Sequence, residues 1–145
     1  QAYNTTGQSR TTPANGWAVR PHEIAMEASN IGQYALVRFT TPKAGKYRIH
    51  AHFEGIHFRL STTDVHVLHN SESLFDDEIE GYGGDPAFHK IEGSHPEATY
   101  SDVVSLARND IVTFAVGYGQ NQTHFNDTTG LFVRITPVSE GRSTK

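Results

Sequence analysis

Residues 34–53 read Y-A-L-V-R-F-T-T-P-K-A-G-K-Y-R-I-H-A-H-F, and residues 62–75 read T-T-D-V-H-V-L-H-N-S-E-S-L-F. In the middle of the first stretch Tyr47, Ile49, Ala51 and Phe53 alternate with Arg48, His50, His52 and Glu54. Period-two alternation marks a half-buried β-strand, with one face to the core and one to solvent. The residues before it alternate Ala35, Val37 and Phe39 with Leu36, Arg38 and Thr40. The second stretch alternates Val65 and Val67 with Asp64, His66 and Leu68. Thr41-Pro42-Lys43-Ala44-Gly45 is a turn, because Pro42 fixes φ and Gly45 tolerates positive φ. The expectation is three consecutive antiparallel strands with a shared polar face.

Outward from this centre the pattern persists. Tyr100–Leu106, Ile111–Tyr118 and Leu131–Thr136 read as strands, with Val112, Phe114 and Val116 on one face. In the closing strand Leu131, Val133 and Ile135 oppose Phe132 and Arg134. Residues 76–98 read as the longest irregular segment, with a short strand at Asp77–Tyr82, because glycine and proline recur through it. Ile24–Ala28 could make one helical turn, but reads better as a strand or loop, because Ser29-Asn30-Ile31-Gly32 closes it after only a few residues. No stretch has a sustained helical period. Short strands separated by turn signals predict an all-β jelly-roll sandwich of two antiparallel sheets. Residues 1–16 read as an extended arm, 17–137 as the domain and 138–145 as a tail. The arm is too polar to fold alone and Thr-rich enough to add as a strand to a neighbour.

The 145 residues suit one domain with a real core. No apolar run approaches the roughly 20 residues of a membrane span. The net charge of −4 argues against nucleic acid, which wants a basic face. Without cysteine there is neither a disulfide framework nor thiolate chemistry. Asn4, Asn121 and Asn126 stand in N-x-T sequons, which chance in a Thr-rich chain explains as well as glycosylation. Gln1 is compatible with a mature end left by signal cleavage and equally with an arbitrary boundary of the sequence.

Four stretches, Val37–Tyr47, Thr62–Phe75, Leu106–Gly119 and Asn126–Thr136, carry a resemblance. They are similar to secreted bacterial β-sandwich modules with the pattern V-R-W/F-T-A-P-x-A-G-x-Y-x-V, T-T-D-V-H-V-L-x-N-G-x-S-L-F, L-x-x-G-D-x-I-x-F-A-V-G-Y-G and N-D-T-T-G-L-x-x-x-I-T. The chain departs from it at Ser71 and Asn109, where the pattern has glycine. Those modules resemble carbohydrate-binding modules, which implies a secreted, non-catalytic binding domain for polysaccharide. The strand order also resembles, more distantly, the C1q and tumour-necrosis-factor jelly rolls. That likeness implies the alternative of a self-assembling extracellular subunit forming trimers, a sheath or a filament.

Candidate sites follow from side-chain chemistry. Sugar recognition needs flat aromatic faces beside planar hydrogen-bonding groups, which Tyr82 in one loop and Tyr118, Gln120, Asn121 and Gln122 in another could supply; core burial is the ordinary alternative for such aromatics. His50, His52 and His66 are expected on the polar face of two adjacent strands, where with Asp64 they could hold zinc or another divalent metal; solvated or subunit-facing polar residues are the ordinary alternative. Asp127 in Asn-Asp-Thr-Thr and Asp64 in Thr-Thr-Asp sit in oxygen-rich loops of the kind calcium uses; turn capping is the alternative. Neither G-x-S-x-G nor H-E-x-x-H occurs. Glu54 and Asp64 could face each other, but no motif makes them catalytic, and a non-enzymatic role is expected. Phe132, on a nominally solvent face, is an anomaly. With Leu36 and Leu68 it would form an apolar patch that a second copy could cover, loosened by acid if histidines line the contact.

Overall fold

The computed structural model describes residues 2–12, 17–27, 34–58, 62–117 and 128–138. The described chain is all-β. Its strands are β1 (Ala2–Tyr3), β2 (Arg10–Thr12), β3 (Trp17–Val19), β4 (Ile24–Met26), β5 (Ala35–Thr40), β6 (Gly45–Gly55), β7 (Thr62–His69), β8 (Glu72–Tyr82), β9 (Glu92–His95), β10 (Glu97–Leu106), β11 (Ile111–Val116) and β12 (Thr129–Pro137). They form a first sheet in the order β1-β4-β12-β6-β10 and a second in the order β5-β11-β7-β8-β9, with β2 and β3 paired separately. No described helix is long and apolar enough to cross a membrane.

The alternation read from sequence is what packs the two sheets. Tyr47, Ile49, Ala51 and Phe53 of β6 meet Val65 and Val67 of β7 and Val112, Phe114 and Val116 of β11 in one buried cluster. Ala35, Val37, Phe39, Val133 and Ile135 pack against its margin. Each large apolar side chain buried here contributes about 1.5–3 kcal/mol.

Strand pairing differs from the expectation. Chain neighbours β5, β6 and β7 are not sheet neighbours. β6 lies between β12 and β10, while β5 and β7 flank β11 in the opposite sheet. The chain crosses the sandwich at each of these connections, as a jelly roll requires. Residues 76–98 are also mostly strand: they contain the end of β8, all of β9 and the start of β10. The arm does add as a strand, but within its own chain. Ala2 and Tyr3 pair with Ala25 and Ile24, and Arg10–Thr12 pairs with Trp17–Val19.

The two departures from the module pattern have a simple outcome. Asn109 adopts φ 72° and Asn70 φ 55°, both in the left-handed region. Asparagine tolerates that region better than other non-glycine residues. Asn109 therefore serves where the pattern has glycine. Ser71 is not among the positive-φ residues, so glycine is not required there.

Candidate functional site

The outer face of the first sheet is built from the even-numbered residues of β6. Their cross-strand partners define successive rows. Thr136, Arg48 and Val103 form one row, and Arg134, His50 and Ser101 the next. Phe132, His52 and Thr99 follow, then Gly130, Glu54 and Glu97. Side chains directly opposite each other sit about 5 Å apart, and successive rows on one face about 7 Å apart. The face thus changes from cationic to aromatic to acidic over roughly 20 Å.

At the cationic end the surface is concave. A groove of about 520 Å³ is lined by His22, Arg48, His50, Ser101, Phe132, Val133 and Arg134. Among the described residues neither arginine has a carboxylate within ion-pair distance. His22 stands at the rim with φ 63°, held by its N–H donating to Asn4 O at 2.7 Å. The Tyr3 hydroxyl lies within hydrogen-bond distance of His22 Nδ1, at 3.3 Å, and Tyr3 is 54% exposed. A non-glycine residue in this backbone region is held by its surroundings, as residues beside ligand sites often are. Phe132 is half-buried, its ring 6.1 Å from that of His52.

The acidic end is closed. Val19 of β3 and Ala25 of β4 cluster with Ile56, so the N-terminal segment covers this part of the sheet. Glu54 points outward from β6 yet is 3% exposed, and Glu23 is 0% exposed. Glu23 Oε1 accepts from the Arg20 N–H at 2.8 Å, and Arg20 Nε lies 3.2 Å from Glu54 Oε2. Were both acids ionised, Glu23 Oε2 would be a buried acceptor with no donor. Burial first, and then hydrogen bonding to Glu54, push the Glu23 carboxyl far above the usual carboxylate range. The shift favours the protonated form of Glu23, which would donate to Glu54, while Glu54 faces Arg20. Gly130 is what lets them meet, because a Cβ there would overlap the Glu23 carboxyl. The sequence reading missed this pair. A glycine inside a strand often marks such a close approach, and Gly130 lies directly opposite Glu54.

The second sheet's outer face is different. His66 Nε2–H donates to Asp64 Oδ2 and Nδ1–H to Asp76 Oδ1, each at 2.6 Å. Tyr34 donates to the same Asp64 oxygen at 2.6 Å and Ser73 to Asp76 at 2.6 Å. Donation from both ring nitrogens requires an imidazolium. The Asp64 hydrogen bond raises the His66 pKa, with burial opposing and Asp76 adding. Ser73 and then His66 hold the Asp76 carboxyl below its usual range. His69 likewise donates to Asp110 at 2.7 Å, and it is the main cause holding that carboxyl at about 2.

The expected sites are redistributed accordingly. His50 and His52 lie on the first sheet, His66 and Asp64 on the second, so the proposed zinc set is divided between opposite faces. Among the described residues no group of three or more His, Cys, Asp or Glu is arranged to hold a metal. Glu54 and Asp64 are separated in the same way, and the partner of Glu54 is Glu23. Phe132 is on the first sheet and Leu36 and Leu68 on the second, so they form no common patch. Tyr82 is not an open loop aromatic. It ends β8 fully buried, against Phe58 and His89, with its hydroxyl donating to Asp85 O at 2.6 Å. A ring so placed cannot stack on a sugar. Burial pushes its hydroxyl up to about 12. Tyr118, Gln120, Asn121, Gln122 and Asp127 lie outside the described residues.

Neither a family model nor a curated protein sequence matches the chain. Among solved structures it is similar to a CBM4 structure at 11% identity and TM-score 0.43, over 94% of this chain and 84% of that one. A family 35 carbohydrate binding module from an environmental isolate gives 13% identity and TM-score 0.42, over 94% and 85%. Rabbit GITRL gives 11% identity and TM-score 0.40, over 74% and 76%.

Proposed function

We propose that this chain is a secreted, non-catalytic carbohydrate-binding module whose site is the groove on the outer face of the first sheet. The observation that carries the reading is the placement of Phe132. A half-buried aromatic ring lies in a concave sheet surface among guanidinium, imidazole and hydroxyl groups from Arg48, Arg134, His50 and Ser101. Aromatic faces take the apolar faces of sugars, and planar hydrogen-bonding groups fix their hydroxyls. An aromatic contact of this kind contributes on the order of 1 kcal/mol. The site expected at Tyr82 moves to this groove because Tyr82 is buried. Secretion and the absence of catalysis are part of the same proposal, drawn from the resemblance in sequence. The fully buried Glu23 and the protein-paired Glu54 lack the access to substrate that acid–base chemistry needs.

The test is retention on immobilised polysaccharides, compared between wild type and Phe132→Ala. Phe132→Ala is expected to weaken retention several-fold with little change in melting temperature. Retention of no polysaccharide by the wild type would refute the reading. In that case a light-scattering mass well above that of one chain would move the weight to the self-assembling alternative.

A further inference from the structure

We infer that the groove selects acidic polysaccharide, with the carboxylate of a uronic acid seated between Arg48 and Arg134. This rests on the carbohydrate reading above and goes beyond it to the class of sugar. The chain is acidic overall, at −4, yet this face gathers two arginines and a histidine in neighbouring rows. The second sheet does not do this. There Arg38 stands in a row with Thr113, Leu68 and Ser73, with no other cation. Neighbouring cations repel one another, and nothing in the described fold offsets that for Arg48 and Arg134. A planar guanidinium presents paired donors that match a carboxylate, which makes Arg the side chain suited to hold one.

The gradient along the face gives the ligand a direction. Three rows beyond Arg48 stands the exposed Glu97, which would repel a second carboxylate and accept from neutral hydroxyls, while Glu54 in the same row is buried. The acidic unit therefore sits at the Arg48–Arg134 end, and the neighbouring sugar ring lies on Phe132 toward His52 and Thr99. A chain with a carboxylate on every unit fits less well than one in which acidic and neutral units alternate.

The experiment compares wild type with the Arg48→Gln/Arg134→Gln double variant in affinity electrophoresis. The gels contain a uronate polysaccharide, its methyl-esterified form, neutral polysaccharides, or dextran sulfate. The wild type is expected to be retarded by the free acid and at least about tenfold less by the ester, the loss of roughly one charge-assisted hydrogen bond. The double variant should lose the preference while its thermal midpoint stays within a degree or two of wild type. Equal retardation by acid and ester would overturn the inference and leave the carbohydrate reading standing. So would retardation by neutral polysaccharides alone. Dextran sulfate retarding the protein as strongly as the uronate, with the effect lost in moderate salt, would also overturn it, as general polyanion attraction. No retardation in any gel would remove both this inference and the reading beneath it.

Discussion

The two outer faces of this sandwich are made from the same alternation and treat charge in opposite ways. On the second sheet His66 is held between Asp64 and Asp76, and His69 against Asp110. These histidine and aspartate charges are paired within the molecule, and among the described residues Arg38 stands on that face as a single cation apart from them. On the first sheet Arg48, His50 and Arg134 gather around a groove without acidic partners among the described residues, while Glu23 and Glu54 are buried at the far end of the face under the N-terminal segment and only Glu97 stays exposed there. A face that neutralises itself has little left to offer a ligand. A face that separates its charges keeps one end available. The difference teaches that the outward residues of a β-sandwich are best read by their pairing, not by their polarity.

The sharpest way to break the comparison is at the buried acids. Glu54→Ala removes the partner of both Arg20 and the Glu23 proton, leaving buried polar groups uncompensated. It should cost about 3 kcal/mol, measured by chemical denaturation. A cost below about 1 kcal/mol would mean the pair is not closed off as described. Glu23→Gln separates packing from protonation. The folded pKa of Glu23 lies above its unfolded value of 4.5. The folded state therefore holds a proton that the unfolded chain releases, so stability falls as pH rises past that value, at up to about 1.4 kcal/mol per pH unit. Glutamine mimics the protonated acid. The variant should match wild type near pH 5 and exceed it by about 1 kcal/mol or more at pH 8. Parallel stability curves for the two proteins would show that Glu23 is ionised in the fold.

His66→Gln asks the same of the other face. The folded pKa of His66 lies above 6.5. Its contribution is complete below the unfolded value and is lost as pH rises through the folded one. Asp76 is largely exposed, so solvent screens that side of the bridge. The variant should lose about 1 kcal/mol near pH 6 and much less at pH 9, read from denaturant midpoints. A loss independent of pH would assign His66 a packing role only.

How far these features were legible depends on the range of the interaction. Which residues of 47–53 and 65–67 are buried follows from period-two alternation, a local property, and the sheets follow it; in 112–116 the alternation picks the core-facing residues but Thr113 and Ala115 are buried as well. Which strands lie side by side does not. Residues 34–75 read naturally as a meander, but each connection from β5 to β7 crosses the sandwich. His50 and His66 both point outward, from opposite sides. Phe132 was legible as anomalous from its own strand, but its true neighbours, His52 and the arginines, depend on β12 pairing with β6 across most of the chain. Glu54 looked like one more solvent-facing residue at the end of an alternating run. Only the fold shows that the segment carrying Arg20 and Glu23 lies over it.

The smallest expected effect is the one that decides what the first face is for. Arg48→Ala/Arg134→Ala removes two exposed cations with no acidic partner among the described residues, so no ion pair is lost and no core is opened. Exposed substitutions of this kind change stability by about 0.5 kcal/mol or less. The sign is informative. Arg134 sits opposite His50, and Arg48 follows His50 by one row, so the variant relieves repulsion at any pH where the imidazole is charged. It should be marginally more stable than wild type at low ionic strength and indistinguishable from it above about 0.5 M salt, where the screening length falls toward a few ångströms. Denaturant midpoints at the two salt concentrations make the measurement. A destabilisation of more than about 1 kcal/mol would mean that the arginines hold the sandwich together, as the His66 bridge does on the opposite face. The two faces would then differ in composition and not in kind. No loss of stability, with loss of polysaccharide retention, is the combination that marks cations kept for a ligand.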